Sequence, residues 1–120
     1  MWLCLNDAFV SVVQDLNNKD NLLVRARDAE SIPRLFGTFV EVIKHAGTDY
    51  LYRASIPKSI VASTIAYNIV GIDYGNFKNS VEDPQLRSVY GNFWDIMYKY
   101  QERKEYGTQN YSDRWSKLPK

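Results

Sequence analysis

The chain contains one cysteine, Cys4, and one histidine, His45. A lone thiol excludes an internal disulfide and every cysteine-based zinc site. His45, with no second His or Cys to join it, would leave a metal site to carboxylates alone, so no metal or cofactor is expected. Glycine-rich phosphate loops are missing too. Gly71-Ile72-Asp73-Tyr74-Gly75 lacks the third glycine of the dinucleotide fingerprint and does not run from a strand into a helix. There is no Gly-x-Ser-x-Gly, and the Ser and Thr residues have no paired base. No catalytic residues are therefore assigned. An unrecognised enzyme with a pocket around His45, Asp49 or Asp73 stands as an alternative.

An excess of charge of either sign is also lacking. Fifteen basic residues face fourteen acidic ones, a net charge of +1, which argues against a nucleic-acid coat or a membrane-surface protein. No apolar run approaches the ~20 residues that span a bilayer. The start, Met1-Trp2-Leu3-Cys4-Leu5, carries no basic leader and is broken by Asn6-Asp7, unlike a signal peptide. Together with the single thiol, this predicts a cytoplasmic protein with no membrane partner.

Aromatic residues are plentiful: nine Tyr, five Phe and three Trp in 120 residues. Large rings fill a small core economically, and Tyr and Trp also serve as exposed binding anchors. The length predicts one domain, residues 1–106, followed by a polar C-terminal tail, 107–120.

Taken in order, residues 1–16 are rich in β-branched and aromatic types and read as strand, broken at Asn6-Asp7. Asn17 to Asn21 is dense in turn formers and closes a hairpin. In the returning strand, Leu22, Val24 and Ala26 share one face and Leu23, Arg25 and Arg27 the other. Asp28 caps a short helix, Ala29 to Phe36, confined by Pro33 and closed by Gly37. Thr38–Lys44 and Tyr50–Ile56 read as third and fourth strands, joined by a turn at 46–49. Pro57 opens a helix whose Ile60, Val61, Thr64, Ile65 and Ile69 follow helical spacing, and Gly71 ends it. A polar loop over 72–82 precedes the longest helix, 84–105. Its stripe of Leu86, Val89, Tyr90, Phe93, Ile96, Met97 and Tyr100 predicts a scaffold laid across the sheet and stopped by Gly107. The order ββ-α-ββ-α-α predicts an α+β fold, a four-stranded, mostly antiparallel sheet with helices on one face.

Two groups of side chains are candidate interaction residues. Arg25, Arg27 and Arg53 point outward if their strands keep alternation, and form a positive patch if those strands are neighbours. Such a patch is either a solvated face balanced by Glu41 or nearby Asp residues, or a dock for phosphate or an acidic protein surface, suited to arginine's planar fork. Tyr50 and Tyr52 read as lying on the face opposite Arg53, which weakens the case for RNA binding through the sheet. The second group is Tyr74, Phe77 and Lys78. The two rings either plug their loop onto the core or stand exposed as an interaction surface.

Several runs together resemble a family of short uncharacterised bacterial proteins. They are Met1-Trp2 with Leu5-Asn6-Asp7-Ala8-Phe9, Leu23-Val24-Arg25-Ala26-Arg27, Asp49-Tyr50 with Tyr52-Arg53-Ala54, and Asp73-Tyr74 with Asn76-Phe77-Lys78 and Val81. The likeness continues to Tyr90, Trp94 and Met97, and covers about residues 1 to 101. It implies a soluble cytoplasmic protein of bacterial or mobile-element origin and brings no functional residues with it. The reading that follows is a small non-enzymatic protein-interaction module. Its most specific form is a phage- or mobile-element-borne, anti-CRISPR-like inhibitor of a host defence complex. The alternative is a nucleic-acid- or nucleotide-binding protein that uses the arginine face.

Overall fold

The computed structural model describes residues 1–45 and 47–115, with side chains up to residue 106. The chain forms two compact units, Met1–Ser80 and Val81–Lys120.

The first unit holds an antiparallel sheet of five strands, one more than the sequence predicts. They are β1 (Trp2–Cys4), β2 (Phe9–Gln14), β3 (Asn21–Ala26), β4 (Ile43–Lys44) and β5 (Tyr52–Pro57), in the spatial order β1-β2-β3-β5-β4. The extra strand arises at Asn6-Asp7. That break is a complete turn, closed by the Leu5 N–H donating to the Ala8 carbonyl at 2.8 Å, so 1–16 folds into two strands. The turn between β2 and β3 forms as its residue types predict. Asp15 Oδ1 accepts from the Asn17 N–H at 2.9 Å and Asn18 Oδ1 from the Asp20 N–H at 3.0 Å.

Alternation sorts the sheet into two faces. Val10, Val12, Val24, Ala26, Ala54 and Ile56 form one buried face, packed with Ile32 and Phe36 of α1 (Ser31–Phe36) and Val61 of α2 (Lys58–Val70). Asp28 is not the N-cap of α1 that the sequence predicts: that position is Glu30, without a side-chain cap bond. Asp28 Oδ1 accepts from the Ser31 N–H at 2.8 Å and from the Glu30 N–H at 3.2 Å in the turn that leads into the helix. Pro33 falls in its first turn, where a missing N–H costs little. The helix starts two residues later than expected, so Ala29 and Glu30 precede it.

Gly37 ends α1 at φ +94°, ψ 162°, a region essentially reserved for glycine. A Cβ there would lie 2.7 Å from Phe39 Cε1. The exposed Phe39 ring can move aside, but the backbone strain cannot be relieved. Gly37→Ala is therefore expected to lose about 1–3 kcal/mol in chemical denaturation. Gly75→Ala, whose Cβ would meet nothing within 4 Å, should be near neutral.

The predicted third strand, Thr38–Lys44, shrinks to Ile43–Lys44. Its alternation is real: Val40 and Val42 pack on the core while Phe39 and Glu41 are exposed. What it lacks is a partner. In the register set by Ile43 opposite Arg53 and Lys44 opposite Tyr52, residues 38–42 would run along 54–58 of β5 and its end, but 38–40 form a turn and bend after α1 instead. Before β5, Thr48 Oγ1 holds a second bend, 2.9 Å from the His45 carbonyl and 2.7 Å from that of Tyr50. Ala46 of the predicted turn lies outside the described residues. Pro57 belongs to the end of β5 and caps α2, which starts at Lys58 and closes at Gly71. The predicted loop 72–82 contains a short helix, α3 (Phe77–Ser80), with Asn76 Oδ1 accepting from the Asn79 N–H at 3.1 Å.

In the second unit, α4 runs from Pro84 to Trp115. Asp83 Oδ1 accepts from the Gln85 N–H at 2.9 Å, and Pro84 occupies the first turn. Contrary to expectation, Gly107 does not stop the helix. A glycine inside a helix costs only about 1 kcal/mol relative to alanine, so it ends one only when the chain also turns away. Residues 116–120 of the predicted tail lie outside the described residues. Among those described, no helix is long and apolar enough to cross a membrane.

Candidate interaction surfaces

Strand register builds a single row across the face of the sheet opposite the core: Trp2, Ser11, Arg25, Arg53 and Ile43, each directly opposite the next. The two strands that carry arginines are neighbours, the condition under which a positive patch was predicted, and Arg25 faces Arg53. Arg25 Nη2 donates to Ser11 Oγ at 2.9 Å, and its guanidinium lies 4.5 Å from the Tyr50 ring centre. Arg27, one residue past the end of β3, covers the same ring at 4.2 Å and donates through Nη1 to the Asp49 carbonyl at 2.8 Å. The buried Tyr50 ring thus meets two cations.

This corrects the sequence reading of Tyr50, which placed it opposite Arg53. Tyr50 precedes β5, so strand alternation does not govern it, and it turns to the arginine side. Tyr52 keeps its predicted place on the core face, packed against the core cluster.

Beyond Leu23 on the same face lies a second polar group. The Ser55 hydroxyl donates to Asp15 Oδ2 and accepts from Asn21 Nδ2 at 2.9 Å. The Ser55 bond, followed by that from the Asn17 N–H, holds the Asp15 carboxyl below its ordinary value. A carboxyl lowered in the folded state stabilises fully above its unfolded value of about 3.9, and the effect is lost as pH falls through the folded value. Ser55→Ala should therefore melt below the wild type at neutral pH, with the gap narrowing in acid. A gap that is constant with pH would remove the Asp15–Ser55 bond as its cause.

Tyr74 and Phe77 pack on each other, with ring centres 5.9 Å apart. Both are half-buried, as is Lys78. Tyr74 also lines a cleft of about 240 Å³ with Leu3, Cys4, Asn6, Asn68 and Asp73. The cleft is bounded by α2, on the side of the sheet away from the arginines, so the two predicted groups do not join into one surface. Burial pushes the Cys4 thiol up, away from the thiolate that nucleophilic chemistry needs. His45 and Asp49 lie outside this cleft. His45 is exposed, and Asp49 Oδ1 accepts from the Tyr50 N–H at 3.0 Å. Among the described residues, no three His, Cys, Asp or Glu side chains converge on a possible metal position.

The surface that sequence reasoning missed is α4. Its stripe was predicted to lie against the sheet. Tyr90 is buried and Leu86 half-buried, but Phe93 is 43% exposed, Ile96 62%, Met97 46% and Tyr100 43%. Trp94 and Tyr98, one turn apart, stack at 5.5 Å beside that stripe and are also exposed. Helical periodicity specifies which residues share a face, but it carries no information on what covers them. The available signal was width: from Ile96 through Phe93 to Tyr98 the apolar arc covers about half the helix circumference, wider than the ~100° a core-facing helix needs.

Comparison with known proteins gives no match: no family model, curated protein or solved structure aligns significantly with the chain.

Proposed function

We propose that this protein is a non-enzymatic interaction module that docks a partner protein on the apolar face of α4. The observation that carries this reading is the exposure of Phe93, Ile96, Met97 and Tyr100 along one stripe. Large apolar and aromatic side chains lose most by standing in water, and a contiguous exposed patch of them marks an interaction site. With Trp94, Tyr98 and Val89, the exposed side chains offer several hundred Å² at roughly 150–250 Å² per fully exposed ring, comparable to the ~800 Å² each side gives to a standard interface. A helix of this pattern suits a hydrophobic groove on the partner, entered by residues spaced three and four apart.

The test is capture of partners from the source cell, host defence complexes among them, by the wild type and by a Phe93→Glu/Met97→Glu variant. A partner held by the wild type and lost by the folded variant supports the reading. Equal capture by both removes α4 as the docking face.

A further inference from the structure

We propose that Arg25 and Arg53 form a binding site for a phosphomonoester dianion. This site lies on the sheet and is independent of the docking face proposed on α4.

The two residues are directly opposed on adjacent antiparallel strands, with backbones about 5 Å apart. Like charges placed so are destabilising, and sheets ordinarily avoid them or insert an acid. Here no acid is inserted. Among the described residues, neither arginine has an ion pair; the pair formed elsewhere is Lys99 with Asp95. Asp15 is engaged by Ser55 and Asn17, and Asp49 by the Tyr50 N–H. Glu41, two residues before the Ile43 that faces Arg53, is exposed and forms no ion pair with either arginine. The Nε–H of Arg25 and the Nε–H of Arg53 are both buried with no hydrogen-bond partner. A buried donor left in this state bears its full desolvation cost.

Two facing cations without a counter-charge are poorly explained as scaffolding and well explained as a receptor. Arg25 is already fixed in place by Ser11 and by the ring of Tyr50, which Arg27 also contacts. The Arg53 Nε–H has no acceptor among the described residues. The charge to be balanced is two. A carboxylate or a phosphodiester neutralises one unit. A phosphomonoester carries about −1.5 to −2 at neutral pH and has three terminal oxygens, enough for a fork from each guanidinium.

The experiment is titration of arginine-labelled protein, in phosphate-free buffer at constant ionic strength, with glycerol phosphate and separately with dimethyl phosphate. The Nε–H resonances of Arg25 and Arg53 are followed, and melting is recorded in parallel. Both resonances are expected to shift saturably with glycerol phosphate and about tenfold more weakly, or not at all, with dimethyl phosphate. Arg53→Gln should abolish the response yet melt no lower than the wild type in ligand-free buffer. Arg53→Lys, which keeps the charge and loses the fork, should bind at least several-fold more weakly and carries the same test if Arg53→Gln does not fold. A phosphoserine peptide that binds more tightly than glycerol phosphate supports the site with a phosphoprotein as source; equal affinity supports it with a small ester. Absence of a saturable shift, or an equal response to the diester, overturns the proposal. So does an Arg53→Lys protein that binds as the wild type does.

Discussion

Val24→Asp is expected to abolish cooperative folding of the sheet unit. Val24 is fully buried on β3, the middle strand of five, between Val12 on β2 and Ala54 on β5. Its side chain belongs to the cluster that joins the sheet to Ile32, Phe36 and Val61. None of these neighbours can donate a hydrogen bond from its side chain. A carboxylate there must stay charged without a partner or take up a proton, and either choice costs several kcal/mol. Small domains have about 5–15 kcal/mol in total, and the new residue also deletes two buried methyl groups. Circular dichroism should show no sharp melt. Val24→Ala, which leaves only a small cavity, should lose about 2 kcal/mol and remain folded. Leu23→Asp is the informative neighbour. One residue along, it points to the opposite, arginine-bearing face and should be far milder. If Leu23→Asp proves the more damaging of the two, the assignment of faces is wrong.

The second large effect is on binding, with little on stability. Phe93→Glu/Met97→Glu is expected to reduce partner affinity by two to three orders of magnitude or more. Anchors of this kind are worth about 2 kcal/mol or more each on truncation, a factor of roughly thirty. Here each truncation also places a charge against the partner's apolar groove. Residues four apart on a helix touch, so the two effects need not add, and the single variants should be measured beside the double one. Melting should change by less than about 0.5 kcal/mol, as for other exposed positions, since glutamate is a good helix former. Both side chains are more than two-fifths exposed, so the fold loses little packing when they go. A double variant that unfolds would instead show that this stripe is part of the protein's own core.

What the sequence made legible follows the range of the physics involved. Strand β3 and its faces were readable from Leu22 to Arg27, because alternation is a local property. Asp83, Pro84 and Gly71 marked helix ends for the same reason, through bonds or missing donors within a few residues. Which strands are neighbours is not local. The meeting of Arg25 with Arg53 could be stated only as a condition, since β5 had to insert between β3 and β4 to satisfy it. Tyr50 was misplaced because alternation was carried two residues past the true start of β5. The third strand was overextended because a sound alternating pattern from Phe39 to Lys44 found a partner only for Ile43 and Lys44. On α4 periodicity gave which residues share a face, while the exposure of each depends on the rest of the molecule.

The outermost strands of the sheet are its shortest, three residues in β1 and two in β4. A growing β-sheet needs a long free border of backbone N–H and C=O groups as a template for the next chain. These borders offer too few such groups to recruit one, and the β4 side also carries Lys44, a side chain that repels a copy of itself. The fold can therefore keep a charged sheet face and an exposed apolar helix in water without feeding fibril growth through its backbone. Recognition is left to side chains, where substitution can tune the choice of partner one residue at a time.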